Sequence, residues 1–245
     1  MQVRTLTSWN AFHGEVVGHR MTTVWRGQRL DWLLKSRFDT ELGQSWKDHR
    51  QRQRALNKAL RQFRTQMRRS HPQFSLGKED DNAWAIGRHH GLWTPMLDWT
   101  KSPYVAAYFA FAKTAGEDDG YRFVYALRLN SLQRHLDGSK RRHVEPVAVA
   151  YPSPRFSAQK SVLTRALNGD DIERAVNRWT DYRTRHGETT VEPVLMKYRI
   201  PANGPSDCER VLKALDMMNI NYETLLLDLH AAETAPWNTA QGWRQ

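Results

Sequence analysis

Residues 102–116 read SPYVAAYFAFAKTAG. Ser102 is suited to an N-cap and Pro103 to the first helical position, and this combination predicts a helix start. The apolar residues that follow fall on nearly every side of that helix. A helix apolar all round is stable only when other elements enclose it, so the rest of the chain has to build a cover. With 245 residues there is enough chain for a sizeable core in one domain, and the ten tryptophans point to a core built with large aromatics.

The cover is read from the remaining patterns. TSWNAFHGEVVGHR places Ser8 at an N-cap, with Trp9, Phe12 and Val16 at helical spacing and an end near Gly18. MTTVWRGQ is a β-rich run in which alternation puts Val24 and Arg26 on one face and Thr23 and Trp25 on the other. KEDDNAWAIGRHHG predicts a helix with an acidic first turn that ends at Gly91. YRFVYALRL (121–129), HVEPVAVAY (143–151), SVLTRAL and VEPVLMKYRIP are strand candidates, and DDIERAVNRWT lies between the last two as a helix or ordered loop. A final helix is expected over 206–219, with Ser206 at its N-cap. Strands interspersed with helices, without regular βαβ alternation or a glycine-rich phosphate loop, predict an α+β fold.

The formal charge is +11, an excess that draws a chain toward polyanions. It concentrates in a basic helical segment, about 44–71, where residues 45–71 hold nine Lys or Arg against one Asp. Leu56, Leu60, Phe63 and Met67 recur there at helical spacing, so one face packs and the others carry cations. Arg50, Arg52, Arg54, Lys58, Arg61, Arg64, Arg68 and Arg69 are the candidate nucleic-acid contacts; the alternative is a solvated basic helix that binds nothing. The single cysteine, Cys208, rules out an intrachain disulfide, and no apolar run reaches the roughly 18 residues of a membrane span. A cytoplasmic protein without a membrane partner is expected.

RHHGLWTPMLDWT (88–100) gathers special residues into what reads as a short loop. Its adjacent histidines, His89 and His90, point about 100° apart on a helix and are poorly placed to chelate one ion, so no metal is expected. His90, Asp98, Thr100 and Ser102 bracket a candidate pocket, although Ser102 also reads as a plain N-cap and Asp98 as a satisfied turn residue. Arg26, at a strand end and followed by Gly27, offers a planar fork for phosphate next to backbone that a ligand can approach. A salt bridge from Arg26 to Asp98 or Asp31 is the competing reading.

VWRGQ (24–28), HHGLWTPMLDWTKSPYVAAYFA (89–110), RFSAQ (155–159), and a terminal strand and helix containing INYETLLLDL together resemble the FRG domain. Trp25 departs from the usual Phe or Tyr, and Pro95 stands where the family commonly has Arg. A more distant resemblance links VWRG and TKSPYVAAYFA to ADP-ribosyltransferases, whose Ser/Thr-x-Ser element would be Thr100 and Ser102. It implies an ADP-ribosyltransferase-like mixed sheet flanked by helices, with the basic helix as an insertion and the whole chain, 1–245, as one FRG-type domain.

The resemblance also implies NAD as substrate, with Trp25, Arg26, Gly27, Gln28, His89 and Trp99 holding it. The catalytic set would be Arg26, His90, Asp98, Thr100, Ser102 and Gln159, with Glu188 or Glu192 as alternatives to Gln159 for the glutamate role. The function so implied is transfer of ADP-ribose to a nucleic acid or a nucleic-acid-associated target, as in a bacterial toxin or phage-defence effector with an antitoxin partner. Alternatives are a non-catalytic nucleic-acid-binding module and a metal-independent ribonuclease using His90 and Asp98.

Overall fold

The computed structural model describes residues 1–19, 22–43, 48–73, 76–112, 120–129, 144–147, 154–166, 169–185 and 193–226. Glu188 and Glu192 lie outside these. The described residues form a seven-stranded sheet from β1 (Gln2–Thr5), β2 (Thr23–Gln28), β3 (Met96–Thr100), β4 (Tyr121–Arg128), β5 (Val144–Val147), β6 (Ser161–Ala166) and β7 (Leu195–Pro201). The order is β1-β7-β4-β2-β3-β6-β5, with β1 and β7 parallel and the other neighbours antiparallel. This mixed sheet with helices is consistent with the α+β class expected from the sequence.

Helices α1 (Trp9–Val17), α2 (Arg37–Leu42), α3 (His49–Ser70), α4 (Asp80–His89), α5 (Pro103–Phe111), α6 (Pro154–Ala158), α7 (Ile172–Arg185), α8 (Pro205–Asp216) and α9 (Tyr222–Leu225) surround it. Ser8 and Ser102 cap α1 and α5 by accepting from the Ala11 and Val105 amides. Gly91 (φ +81°) ends α4 in a left-handed turn, with the Leu92 amide donating back to the Gly87 carbonyl at 2.9 Å. The stretch 88–100, expected as a loop, is therefore a helix end, a turn and a full strand: the alternating pattern of MLDWT is β3, hidden in the sequence by the turn residues before it.

Alternation along β2 divides the interior as expected. Trp25 joins the core formed by α1, α5 and α8, where it packs with Phe12, Val105, Ala106 and Val211. Val24 faces the opposite core, with Leu34, Trp99, Tyr125, Ile172 and Val176. A third cluster seats α3 and α4 against the β3–β6 end of the sheet through Leu56, Leu60, Trp84, Met96 and Leu163. The enclosed helix α5 makes its closest approach to the sheet at Gly27, where a Cβ would stand 1.7 Å from the Ala106 carbonyl oxygen and 2.9 Å from the Ala110 nitrogen. The helix backbone occupies the place of the missing side chain.

Gly27→Ala puts a methyl group into main-chain atoms that no rotamer change can move aside. The expected loss is about 3 kcal/mol or more, at or beyond the upper end for overpacking. Urea denaturation measures it; a midpoint equal to that of the wild type would show that α5 is not held in this way.

Candidate ligand site

β2 runs beside β4 for six residue pairs but beside β3 for one, Trp25 with Thr100. Beyond that pair the two strands splay and the sheet opens into a cavity of about 330 Å³, within the range of small-ligand sites. Its walls come from β2, the end of β3, α4, α5, α6 and the start of β6. Among the described residues, four arginines, Arg26, Arg29, Arg88 and Arg155, line it together with one acid, Asp98.

Arg26 spans the split. Its Nη1 donates to the Asp98 carbonyl at 3.0 Å, and its Nε faces the Gln28 amide, whose oxygen accepts at 3.2 Å in the orientation that also lets the Gln28 nitrogen donate to the Trp32 carbonyl. Neither salt bridge weighed from the sequence forms: the Asp98 carboxylate is paired with Arg88, and Asp31 is paired with Lys197 and accepts from the Tyr125 hydroxyl. Burial lowers the Arg26 pKa to about 10, and burial reinforced by Arg26 and Arg155 lowers that of Arg88 to about 9. Both remain cations at neutral pH, crowded together and partly stripped of water. An arrangement of this kind is short of negative charge and suits an anionic ligand.

The other expected residues separate into groups. Gln28, Trp99, Thr100 and Gln159 line the cavity. Thr100 donates to the Gln159 carbonyl at 2.6 Å and accepts from the Ser102 amide at 3.1 Å, so its hydroxyl ties the end of β3 to the start of β6. The Gln159 amide donates to the Leu225 carbonyl at 3.0 Å, which leaves its side-chain oxygen as an acceptor. Gly27 and Trp25 also border the cavity, but the space at Gly27 serves α5, and the Trp25 indole packs against Phe12, His19 and Tyr198 in the core. Trp99 is likewise buried, its Nε1 donating to Thr164 at 2.8 Å.

Ser102 caps α5, accepting from the Val105 amide, and is not among the residues that line the cavity. His90 is exposed at the end of α4, near the ring of Phe63, and is not among the lining residues. The side chain of His89 is outside what the structure describes.

Sequence reasoning missed Arg88, Arg155, Arg29, Trp32 and Phe109. A signal existed for Arg88, which follows the buried Trp84 by four residues and so shares its inward helix face. Trp32 and Phe109 carried no such signal. They are partly exposed, at 53% and 37%, and supply the aromatic surface that Trp25 and Trp99 do not.

The basic helix α3 has two opposite sides. At 100° per residue, Arg50, Arg54, Lys58, Arg61, Arg68 and Arg69 fall within an arc of about 100°, and all six are exposed. Arg52, Leu56, Leu60 and Met67 occupy the opposite, buried side. Arg52, assigned to the phosphate contacts on charge alone, is 5% exposed and holds Asp39 of α2 through Nε at 2.6 Å and Nη2 at 2.8 Å. Arg64 is also committed within the fold, since it donates to the Gly77, Lys78 and Glu79 carbonyls and to Asp80, clamping the turn before α4. Among the described residues no group of His, Cys, Asp and Glu is placed to hold a metal ion, and no helix is long and apolar enough to cross a membrane.

Removing one member of a buried pair strands the other, at roughly 3–5 kcal/mol. Arg52→Ala is therefore expected to shift the denaturation midpoint strongly, while Arg54→Ala, on the solvated side of the same helix, leaves it in place. Equal shifts in the two variants would contradict the separation of structural from solvated cations.

Comparison with known proteins places residues 21–119 as a match to the FRG domain family. The match runs through β2, α2, α3, α4, β3 and α5, and so covers Arg26, Arg88 and Asp98 but neither Arg155 nor Gln159. It is narrower than the resemblance drawn from the sequence, which extended to the terminal helix. No curated protein matches the chain, and no solved structure matches it.

Proposed function

We propose that the protein uses NAD to transfer ADP-ribose to a nucleic acid or a nucleic-acid-associated target, and that NAD binds in the cavity between β2 and β3. The observation that carries this reading is the meeting of Arg26, the Thr100 end of β3 and Gln159 at one cavity whose described arginines outnumber its acids four to one. These are the elements that the more distant sequence resemblance assigned to an NAD site, and they are brought together from three separate strands or strand entries.

The chemistry asked of such a site is limited. The bond from the ribose to nicotinamide breaks as the acceptor attacks the same carbon, and positive charge builds up on the ribose in between. Guanidinium groups fixed on the sheet and on the helices packed against it hold the pyrophosphate and so keep the reacting carbon in place without reorganising. The Gln159 side-chain oxygen can accept from a ribose hydroxyl, which would position the sugar. The acceptor is suggested by the cationic stripe of α3, which offers a polyanion six exposed basic residues along roughly 28 Å of helix. His90 and Ser102 have no part in this scheme.

Incubation with labelled NAD and RNA, DNA or cell lysate is expected to label an acceptor, and Arg26→Ala is expected to reduce transfer about 100-fold, as for loss of one preorganised charge-stabilising donor. An unlabelled acceptor pool with the wild-type protein would end this reading.

A second reading draws on a specific observation: Asp98, the acid among the described lining residues, is already held by Arg88. A module that binds nucleic acid without catalysis needs no free carboxylate. It predicts no thermal shift with NAD. It also predicts a salt dependence of RNA or DNA binding whose slope falls by about one unit for each of Arg54→Ala and Lys58→Ala. A slope unchanged in both variants would remove α3 from the interface under either reading.

A further inference from the structure

We propose that the arginine cluster of this cavity is a diphosphate cradle in which Asp98 is the resident counterion, and that a ligand phosphoryl group binds by taking the place of the Asp98 carboxylate on Arg88. This deepens the proposed function and rests on its reading of the cavity as a nucleotide site. It adds Arg88 and Arg155 as ligand-binding residues and gives Asp98 a regulatory role in place of a catalytic one.

The geometry supports an exchangeable carboxylate in three ways. First, the Asp98 main chain and side chain are held independently. The main chain is fixed in the sheet opposite Leu163 of β6, and its carbonyl accepts from Arg26. The side chain forms its ion pair with Arg88. A change of side-chain torsion releases Arg88 while β3 and the Arg26 contact stay as they are. Second, the Asp98 side chain is 41% exposed, so the displaced carboxylate turns into water and not into a buried place where an unpaired charge is costly. Third, a partly exposed ion pair is weak, and a phosphoryl group with more charge and more acceptor oxygens competes with it effectively.

The class of ligand follows from charge and placement. Arg26, Arg88 and Arg155 come from β2, α4 and α6, three elements that approach the cavity from different sides. Each guanidinium presents a planar fork able to take two oxygens. A single phosphate satisfies one or two such forks, whereas two linked phosphoryl groups span three. Arg29 also lines the cavity, so the described lining holds four guanidinium groups to one carboxylate. Burial already depresses the pKa of Arg26, and burial together with repulsion from Arg26 and Arg155 depresses that of Arg88; a polyanion offsets both effects. Inorganic pyrophosphate and the diphosphate of a nucleotide share this chemistry.

Titration calorimetry at fixed salt, with inorganic pyrophosphate, ADP, ADP-ribose and AMP as probes, tests the exchange. Wild-type protein is expected to bind the three diphosphates at least tenfold more tightly than AMP. Asp98→Asn removes the competing charge and is expected to tighten pyrophosphate binding about tenfold. In Arg88→Gln the affinity drops, and Asp98→Asn brings no gain on that background, because the cation being competed for is gone. Arg88→Lys, which keeps the charge and loses the fork, gives an intermediate affinity and serves if the glutamine variant does not fold.

Unchanged or weaker pyrophosphate binding in Asp98→Asn overturns the proposal, as does a gain that persists with Arg88→Gln, or an AMP affinity equal to that of ADP. Pyrophosphate binding that responds as stated, in a protein that transfers no label from NAD, would defeat the transferase reading and leave the cradle standing. Label transfer alongside a flat response of the variants would do the opposite.

Discussion

The contact between the backbone of α5 and the missing side chain of Gly27 underlies the rest of the architecture. A helix with apolar residues on all sides has to be enclosed, and the closest enclosure sets its main chain directly against a strand. That position is available only where β2 carries no Cβ on the helix side. Once α5 lies there, its N-cap Ser102 and the adjacent Thr100 are drawn to the end of β3, where the Thr100 hydroxyl links β3 to the entry of β6. The tryptophan two residues before the glycine faces the same core, and the arginine between them faces away from it. The Trp-Arg-Gly sequence is thus one alternating strand with two purposes, packing on one side and a cation aimed at the cavity on the other.

The opening between β2 and β3 follows from the same arrangement. Two strands joined at a single residue pair leave a gap in an otherwise continuous sheet, and Arg26 crosses it to reach the carbonyl of Asp98. Guanidinium groups held at the mouth of such a gap repel one another and lose part of their hydration, a cost that a folded protein bears only where other contacts over-determine the site. Here the over-determination is visible: β2 is anchored along β4, β3 along β6, and α4 is pinned by Arg64 and by its left-handed Gly91.

Helix α3 shows how composition can mislead about individual residues while being right about the whole. Its basic character is real, yet Arg52 and Arg64 are committed to Asp39 and to the turn before α4. Charge counts them with their neighbours; only the phase of each around the helix, and what faces it, separates a buried pair from a solvated stripe. The apolar positions gave that phase at Leu56 and Leu60, and Arg52 falls one turn before them on the same side.

Local pattern determined a good deal unaided. The caps at Ser8 and Ser102, the alternation that sends Trp25 and Arg26 to opposite faces, the end of α4 at Gly91 and the strands from Tyr121 and Ser161 are all legible in the sequence, because each depends on neighbours a few residues away. β3 was obscured by the turn residues before it, and the short β1 and α2 gave too little periodicity to be seen. The composition of the site belongs to the tertiary structure. Arg88 and Arg155, 67 positions apart in the sequence, meet Arg26 only because the strand order sets the end of β3 between β2 and β6. The same long-range packing withdrew His90 and Ser102 from the cavity and gave Gly27 to α5. Sequence alone determined which faces are apolar and which carry charge; the fold decided which of those charges share a space, because that depends on distances no local pattern encodes.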